Sequence, residues 1–377
     1  MELEAFLEKK GAEYAPFDKT RAGRIFKNLN LKFKFKPIHI IGTNGKGSTG
    51  RFLALMLKEL GYNVGHFTSP HLLELGERFW LNGKIATKQS LQTAFRELYK
   101  PILEEASYFE TLTFLALIYF KDCDYLVLEA GLGGEFDSTT ACIDEALSLF
   151  TSIGKDHEEL LGKSIEEIAT TKLKAMKQNA ILGIQNEKIV GEIAQKIAKE
   201  KGVNLQILLK EKIEKNVWDY IKIMDYPAYQ AENLYLAYIA LKTLGLEFNL
   251  ENLPSLDLQG RMQKIQSNIY LDVLHNPLGA KKSLEYFSKE KLIIVYNSYL
   301  DKNPKEILGI LKPIIKRVEI LEVSNLRIID KKRLEDILRE LDISYKYFKE
   351  ISKEEKYLVC GSFSVVGEFL KRYVIEK

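Results

Sequence analysis

From residue 38 onward, short apolar runs alternate with segments of helical period. The runs are "IHII", "VGHFT", "YLVLEA" and "ALSLFTSI", followed later by "IYLDVL", "KLIIVY", "RVEILEV" and "KYLVC". Between the first two, Phe52, Met56 and Leu60 recur at i, i+4 and i+8 with Leu53 and Leu57 beside them, and Gly61 supplies a helix C-cap. Strands alternating with helices predict parallel sheets of the α/β class. The period is lost across "LENLPSLDLQG" (250–260), where Pro254 interrupts a polar–apolar stretch. This predicts a first domain over 1–255 and a smaller α/β domain over 256–377, each long enough for its own doubly wound sheet.

Composition narrows the class without deciding it. Of the 377 residues, 46% are hydrophobic and 28% charged, which suits a globular protein with a full core. The net charge of +3, from 55 basic and 52 acidic residues, gives no reason to expect nucleic acid or an anionic membrane as partner. Lysines interleave with glutamates, as in "EIAQKIAKEKG", and decorate solvated helix faces. Cys123, Cys142 and Cys360 are odd in number and far apart, which argues against a disulfide framework or a cysteine zinc site. "MELEAFLEKK" lacks the order of a signal peptide, and "LTFLALIYF" is too short to span a bilayer. The expected compartment is a reducing cytoplasm.

The chemistry concentrates in "IHIIGTNGKGSTGRFLALMLKELGYNVG" (38–65). A common phosphate loop reads G-x-x-x-x-G-K-[ST]. Here Gly42, Gly45 and Gly47 surround Lys46, and Ser48-Thr49 follow one glycine late. The context is still strand, glycine-rich turn and helix. Backbone N–H groups at the start of a helix over 48–60, and its dipole, favour an anion, while Lys46 reaches the terminal phosphates as a point charge. A tight turn with an incidental lysine is the plainer alternative. The run Thr43, Asn44, Gly45, Lys46, Gly47, Ser48, Thr49 after a buried strand favours a nucleotide.

This spelling, G-T-N-G-K-G-S-T, resembles the Mur ligase superfamily, and most closely its folate branch of folylpolyglutamate and dihydrofolate synthases. Further blocks occur in family order: "HFTSPHLLELGERFWLNG" (66–83), "YFETLT" (108–113), "LEAGLGGEFDSTT" (128–140), "TSIGKDHEELLG" (151–162), "GRMQ" (260–263), "LDVLHNP" (271–277) and "GSFSVVGE" (361–368). The resemblance implies a P-loop-type parallel-sheet ATPase domain followed by a smaller Rossmann-like domain. It also implies an ATP- and Mg²⁺-dependent ligase acting as a monomer on small molecules: L-glutamate with dihydropteroate, reduced folates or both. In such enzymes a substrate carboxylate attacks the γ-phosphate, and an amino-acid amine then displaces phosphate from the acyl phosphate. Bringing anions together requires cations and backbone dipoles, and shielding the acyl phosphate favours a cleft closing between domains.

The resemblance also implies residue roles. Ser69, Glu129 and His157 match the metal positions. Read alone, Glu129 is a strand-end carboxylate where α/β sheets place ligands, or a group capping the next turn; Ser69 and His157 are a turn serine and a loop histidine. Ser107, Tyr108, Phe109 and Glu110, then Phe136, Asp137 and Ser138, match the pteroate-binding stretches, although Ser107 read alone is a helix cap with core aromatics behind it. Glu135 stands where the family has Arg and Thr140 where it has Asn. Asn233, Arg261 and Asp272 match nucleotide contacts, and His275 follows a strand end in the same region as a catalytic candidate. Asp301 and Lys302 match a D-K-D segment from which Asn303 departs.

Ser164 and Glu167 form a capping box that places Lys172 about two turns into a helix. Lys172 matches a family lysine that is carbamoylated by CO₂. Burial would lower its pKa and free the amine for that reaction. Around it, Thr170-Thr171 replace Arg-Glu and Leu173-Lys174 replace Ala-Gly; a solvated helix lysine is the plainer reading. A GTPase would carry N-K-x-D, which is missing from the sequence. A cell-wall Mur ligase would need a UDP-sugar domain larger than the 41 helix-like residues before Gly42. A folate-binding protein without catalysis needs neither the loop lysine nor the carboxylate. Another Mur-type ligase, acting on a non-folate carboxylate, is the remaining alternative.

Overall fold

The apolar runs become two separate sheets in the computed structural model, which describes residues 2–11, 18–143 and 147–375. The first sheet holds β1 (Lys36–Ile41), β2 (Val64–Phe67), β3 (Phe79–Leu81), β4 (Lys84–Ile85), β5 (Tyr125–Glu129), β6 (Leu147–Phe150), β7 (Asn179–Leu182) and β8 (Asn204–Ile207). Its order is β4-β3-β2-β5-β1-β6-β7-β8, parallel from β2 to β8 with an antiparallel β3–β4 extension. Ala146, at the head of the fourth run, lies outside the described residues. The second sheet contains β9 (Gln263–Gln266), β10 (Ile269–Leu271), β11 (Leu292–Tyr296), β12 (Ile315–Ile320), β13 (Tyr345–Tyr347) and β14 (Tyr357–Cys360). Its order is β13-β12-β11-β14-β10-β9, and only β9 runs antiparallel.

The chain divides into a unit of residues 1–224 and 230–256 and a second unit of 225–229 and 257–377. The short segment Asp225–Tyr229 therefore groups with the second sheet although the helix that Tyr229 opens, Tyr229–Thr243, otherwise belongs to the first. Ahead of β1, the described residues form two helices, Leu3–Lys9 and Arg21–Leu29. No helix among the described residues is long and apolar enough to cross a membrane.

In the first unit the central strands β5 and β6 are buried along their whole length, and β1 over its last four residues, which explains their near-continuous apolar spelling. Leu126 and Leu128 of β5 pack into a core with Phe67, Phe79, Phe95, Leu112 and Phe114. Phe150 and Leu182 pack instead with Ile168, Leu173 and Val190. The helix after the glycine-rich loop, Lys46–Glu59, is buried continuously from Gly47 to Leu57. Its sequence period is correspondingly weak, and Leu60, expected on the buried stripe, sits just past the helix at 38% exposure. The helix also starts two residues earlier than 48. Gly45 holds φ at +89°, a left-handed conformation that turns the chain directly into a helix at Lys46.

Candidate active site

Adjacency of β5, β1 and β6 brings three carboxyl-terminal strand ends together: Glu129, Gly42 and the segment after Phe150. Parallel α/β sheets bind ligands at such ends because loops and helix N-termini converge there. Thr43 and Asn44 donate their backbone N–H groups to Ser152 O at 2.9 and 3.2 Å. Thr43 Oγ1 donates to Gly154 O and accepts from Gly154 N, both at 3.0 Å. These bonds bolt the loop to the end of β6. The N–H groups of the first helical turn, at Lys46, Gly47 and Ser48, have no acceptor within an α-helix and point toward its N-terminal end. A Cβ at Gly45 would lie 2.3 Å from Asn233 Oδ1, and Gln230 Nε2 donates to Ser48 Oγ at 3.5 Å, so the start of helix Tyr229–Thr243 packs against the loop.

Lys46 Nζ lies 3.7 Å from Glu129 Oε1 and donates to the carbonyls of Gly42 and Thr43 at 3.3 and 3.4 Å. Glu129 is 3% exposed. Its Oε2 accepts from Thr68 Oγ1 and from Ser69 N, the latter at 3.3 Å, which orients Oε1 toward Lys46. Thr68 lies within the 66–83 block, where its letter alone does not distinguish it from the neighbouring turn residues. His157 adopts φ +51° at the cap of a short helix, with Nε2 3.9 Å from Asp156 Oδ2.

Lys172 is buried, and its Nζ donates to Gly42 O at 3.0 Å. The capping box of Ser164 with Glu167 is formed and the helix runs Ile165–Leu173, so the lysine sits where its sequence spacing put it. Burial, reinforced by the Lys46 charge and opposed by Asp156 and Asp137, pulls its pKa down to about 7. Asp156 is thus an electrostatic member of the site that no motif had marked as a ligand.

A second group surrounds the Ser107–Glu110 tetrad. Ser107 caps helix Tyr108–Tyr119 in a reciprocal box with Glu110, so its hydroxyl serves the cap that the plainer reading predicted. Buried Glu110 also accepts from Arg21 Nε at 2.7 Å. The Phe109 ring lies over Gly131, where a Cβ would meet it at 2.4 Å. Arg78 approaches the face of Tyr108 at 5.8 Å, and Lys19 that of Phe136 at 4.6 Å. Ser138 Oγ and Thr113 Oγ1 are 2.7 Å apart. Burial raises the pKa of Asp137, but its oxygens accept from Leu132 N and from Thr139 N and Oγ1, which favour the carboxylate. The structure therefore assembles Phe109, Phe136, Asp137 and Ser138 about one glycine-rich loop. Arg21 and Lys19 join them without a sequence signal, because nothing in the spacing of "DKTRAGR" relates it to Glu110 or to the still more distant Phe136.

In the second unit, Asp272 follows β10 and accepts from Leu274 N at 2.8 Å and from the Tyr229 hydroxyl at 3.3 Å. Burial raises the pKa of both Asp272 and Tyr229. The Arg261 guanidinium lies 5.1 Å from the Phe363 ring, and the His275 ring 6.0 Å from it. Arg261, Asp272 and His275 are thus one neighbourhood of that unit, built with Phe363 and Tyr229. Asp301 pairs with Lys302 and Arg327 at 3.6 and 3.2 Å, and Asn303 caps the next helix.

Residues 40–253 match the family described as the Mur ligase middle domain. Dihydrofolate synthase/folylpolyglutamate synthase of Buchnera aphidicola is 32% identical, over 92% of this chain and 94% of its own length. The chain belongs to the folate branch of the Mur ligases. Among solved structures, Helicobacter pylori folylpolyglutamate synthetase is 44% identical with a TM-score of 0.79, covering 100% of this chain and 98% of that one. E. coli FolC in complex with DHPP and ADP is 25% identical with a TM-score of 0.82, covering 98% and 97%. In this Mur ligase the phosphate-loop donors fit a nucleotide. No group of three or more His, Cys, Asp or Glu side chains among the described residues is placed to cage a metal. One buried carboxylate beside hydroxyl and phosphate oxygens suits Mg²⁺ better than a full protein cage, because that ion keeps waters and shares phosphates.

The buried Lys172 makes a testable demand on stability. Its folded pKa of about 7 lies below the ordinary 10.5, so between these values the unfolded chain binds more protons. Stability then rises with pH across that window, and the full cost, on the order of 5 kcal/mol, is present below it. In CO₂-free buffer, Lys172→Met is expected to raise the urea midpoint at pH 7, with the advantage shrinking toward pH 10. A pH-independent difference would show that the ammonium is not desolvated.

Proposed function

We propose that this Mur ligase joins L-glutamate to both dihydropteroate and reduced folates by ATP-dependent amide formation through an acyl phosphate. The observation that carries the reading is the convergence of the loop N–H groups, Lys46, Glu129 and Lys172 at the ends of adjacent strands. The names of the Buchnera and Helicobacter relatives support the substrate class. Three cysteines, all buried and free of disulfides, agree with a cytoplasmic setting.

The substrate carboxylate attacks the γ-phosphorus in line, ADP departs, and the glutamate amine then attacks the acyl carbon and expels phosphate. Gly45, Lys46, Gly47 and Ser48 bind the phosphates through backbone N–H groups, with Thr43 and Asn44 holding the loop's shape. Lys46 neutralises charge that develops during transfer. Asn233, Arg261 and Asp272 bind the rest of the nucleotide, and His275 lines the same neighbourhood as Arg261. Ser69, Glu129 and His157 would hold Mg²⁺, which when bound offsets phosphate charge. Tyr108, Phe109 and Phe136 stack on the pterin and benzoyl rings, while Ser107, Glu110, Asp137 and Ser138 shape that pocket.

Lys172 is proposed to be carbamoylated. Its amine, with a pKa near 7, is largely neutral at slightly alkaline pH and can attack CO₂. The product puts an anion near Lys46 where an amine stood.

Three measurements test these roles. Glutamate-dependent ADP release is expected with dihydropteroate and, separately, with tetrahydrofolate; inertness of saturating dihydropteroate would remove the dihydrofolate synthase half. Lys46→Ala should lower kcat at least about a hundredfold, since a transition-state charge contact contributes roughly 2–4 kcal/mol. Exhaustive CO₂ removal should lower activity reversibly, with bicarbonate restoring it. Full activity of protein whose intact mass and lysine density remain unmodified would exclude the carbamate.

A further inference from the structure

His39 is fully buried in the middle of β1, three residues before Gly42 opens the loop, and the chemistry above gives it no task. Its Nε2 lies 2.8 Å from Thr139 Oγ1, which in turn lies 2.5 Å from Asp137 Oδ1. The direction of this chain follows from proton counting. A carboxylate only accepts, so the single Thr139 hydroxyl proton goes to Asp137, and Thr139 must accept from an N–H on His39 Nε2. Burial lowers the His39 pKa to about 3, so the ring is neutral and Nδ1 carries the lone pair. That Nδ1 is buried without a hydrogen-bond partner among the described residues. An apolar side chain would fill the strand position without that penalty, so the imidazole is a poor choice for stability alone.

What the chain of bonds reaches is the loop 131–139. Asp137 Oδ2 also accepts from Leu132 N at 2.8 Å, closing the loop on its own start. The residues flanking this anchor are Phe136 and Ser138. We propose that His39 is a positioning residue for the folate-binding loop, fixing Asp137 through Thr139 and thereby setting Phe136 and Ser138 relative to the strand that carries the phosphate loop. The inference rests on the assignment of residues 136–138 to the pteroate moiety. It makes β1 a shared ruler: its end places the phosphate-binding turn, and its buried face places the carrier of the attacking carboxylate.

The test compares two pairs of variants with a control. His39→Leu and the isosteric Thr139→Val remove the relay, whereas His39→Gln and Thr139→Ser keep a donor and a hydroxyl. Loss of one such bond is expected to raise the KM for dihydropteroate about tenfold. The KM for ATP and kcat at saturation should stay within about twofold, and the urea midpoint of His39→Leu should not fall in proportion. The double variant should be no worse than either single one, because both break one chain. The conservative pair should restore most of the KM. If His39→Leu does not fold, the Thr139 pair carries the same comparison. Phe136→Ala separates the two levels of the argument. If it leaves the dihydropteroate KM unchanged, the site assignment falls and the proposal with it. If Phe136→Ala raises that KM while Thr139→Val and His39→Leu do not, the positioning role alone is overturned. Equal losses for ATP and dihydropteroate, tracking stability, would also overturn it.

Discussion

The Gly42 carbonyl accepts from Lys172 Nζ at 3.0 Å and from Lys46 Nζ at 3.3 Å, so lysines from two different helices meet at one backbone oxygen. The buried carboxylate of Glu129 stands beside Lys46, and Asp156 and Asp137 act on Lys172. Two like charges a few ångströms apart repel by about 4 kcal/mol even at an effective dielectric of 20. Burial first, and the Lys46 charge second, pull the Lys172 pKa down to about 7. The arrangement favours added negative charge, and a polyphosphate or a carbamate each supplies it. Polyphosphate binding and the carbamate proposed at Lys172 would answer the same electrostatic demand.

The close approach is possible because of local chain geometry. A Cβ at Gly42 would lie 1.9 Å from Thr151 Oγ1, so any other residue there would push the loop off the end of β6. The register of β1 with β5 sets Ile40 opposite Glu129, which puts the carboxylate level with the start of the loop. Once β5, β1 and β6 are neighbours, the positions of Lys46 and Glu129 follow from backbone pairing rather than from any long-range fit of side chains.

Much of this was legible in the letters, for stated reasons. Strands buried on both faces spell continuous apolar runs, and the capping box at Ser164 announces a helix whose second turn carries Lys172. The hairpin of β3 and β4 also has a local signal: Asn82-Gly83, at φ +48° and +92°, is the dipeptide that a tight two-residue turn favours. Other features had no local signature. The start of the loop helix is one: the apolar period at Phe52 and Met56 announces the helix, but its first residue depends on one glycine's left-handed conformation. Arg21 reaches Glu110, and Thr68 reaches Glu129, through tertiary packing that sequence spacing does not encode.

The departures from the family spelling become intelligible when read in pairs. Glu135 stands where the family has arginine, and Lys174 where it has glycine; in the structure these two side chains lie 3.6 Å apart. The Glu135 backbone N–H donates to Thr171 O at 3.0 Å, so the glycine-rich loop and the Lys172 helix are joined at that point whatever the side chains are. A charge pair that is 31% and 47% exposed adds little stability, roughly 0–1 kcal/mol. Its effect is local compatibility: an unpaired glutamate would add a negative field near Lys172 and Asp137, and Lys174 cancels it. Thr140, in place of asparagine, donates to Gly134 O at 2.6 Å and closes the same loop from its other end. The substitutions therefore preserve the loop's shape through different side-chain chemistry. Phe136 and Ser138 still flank the same buried hydrogen-bonded pair, Asp137 and Thr139.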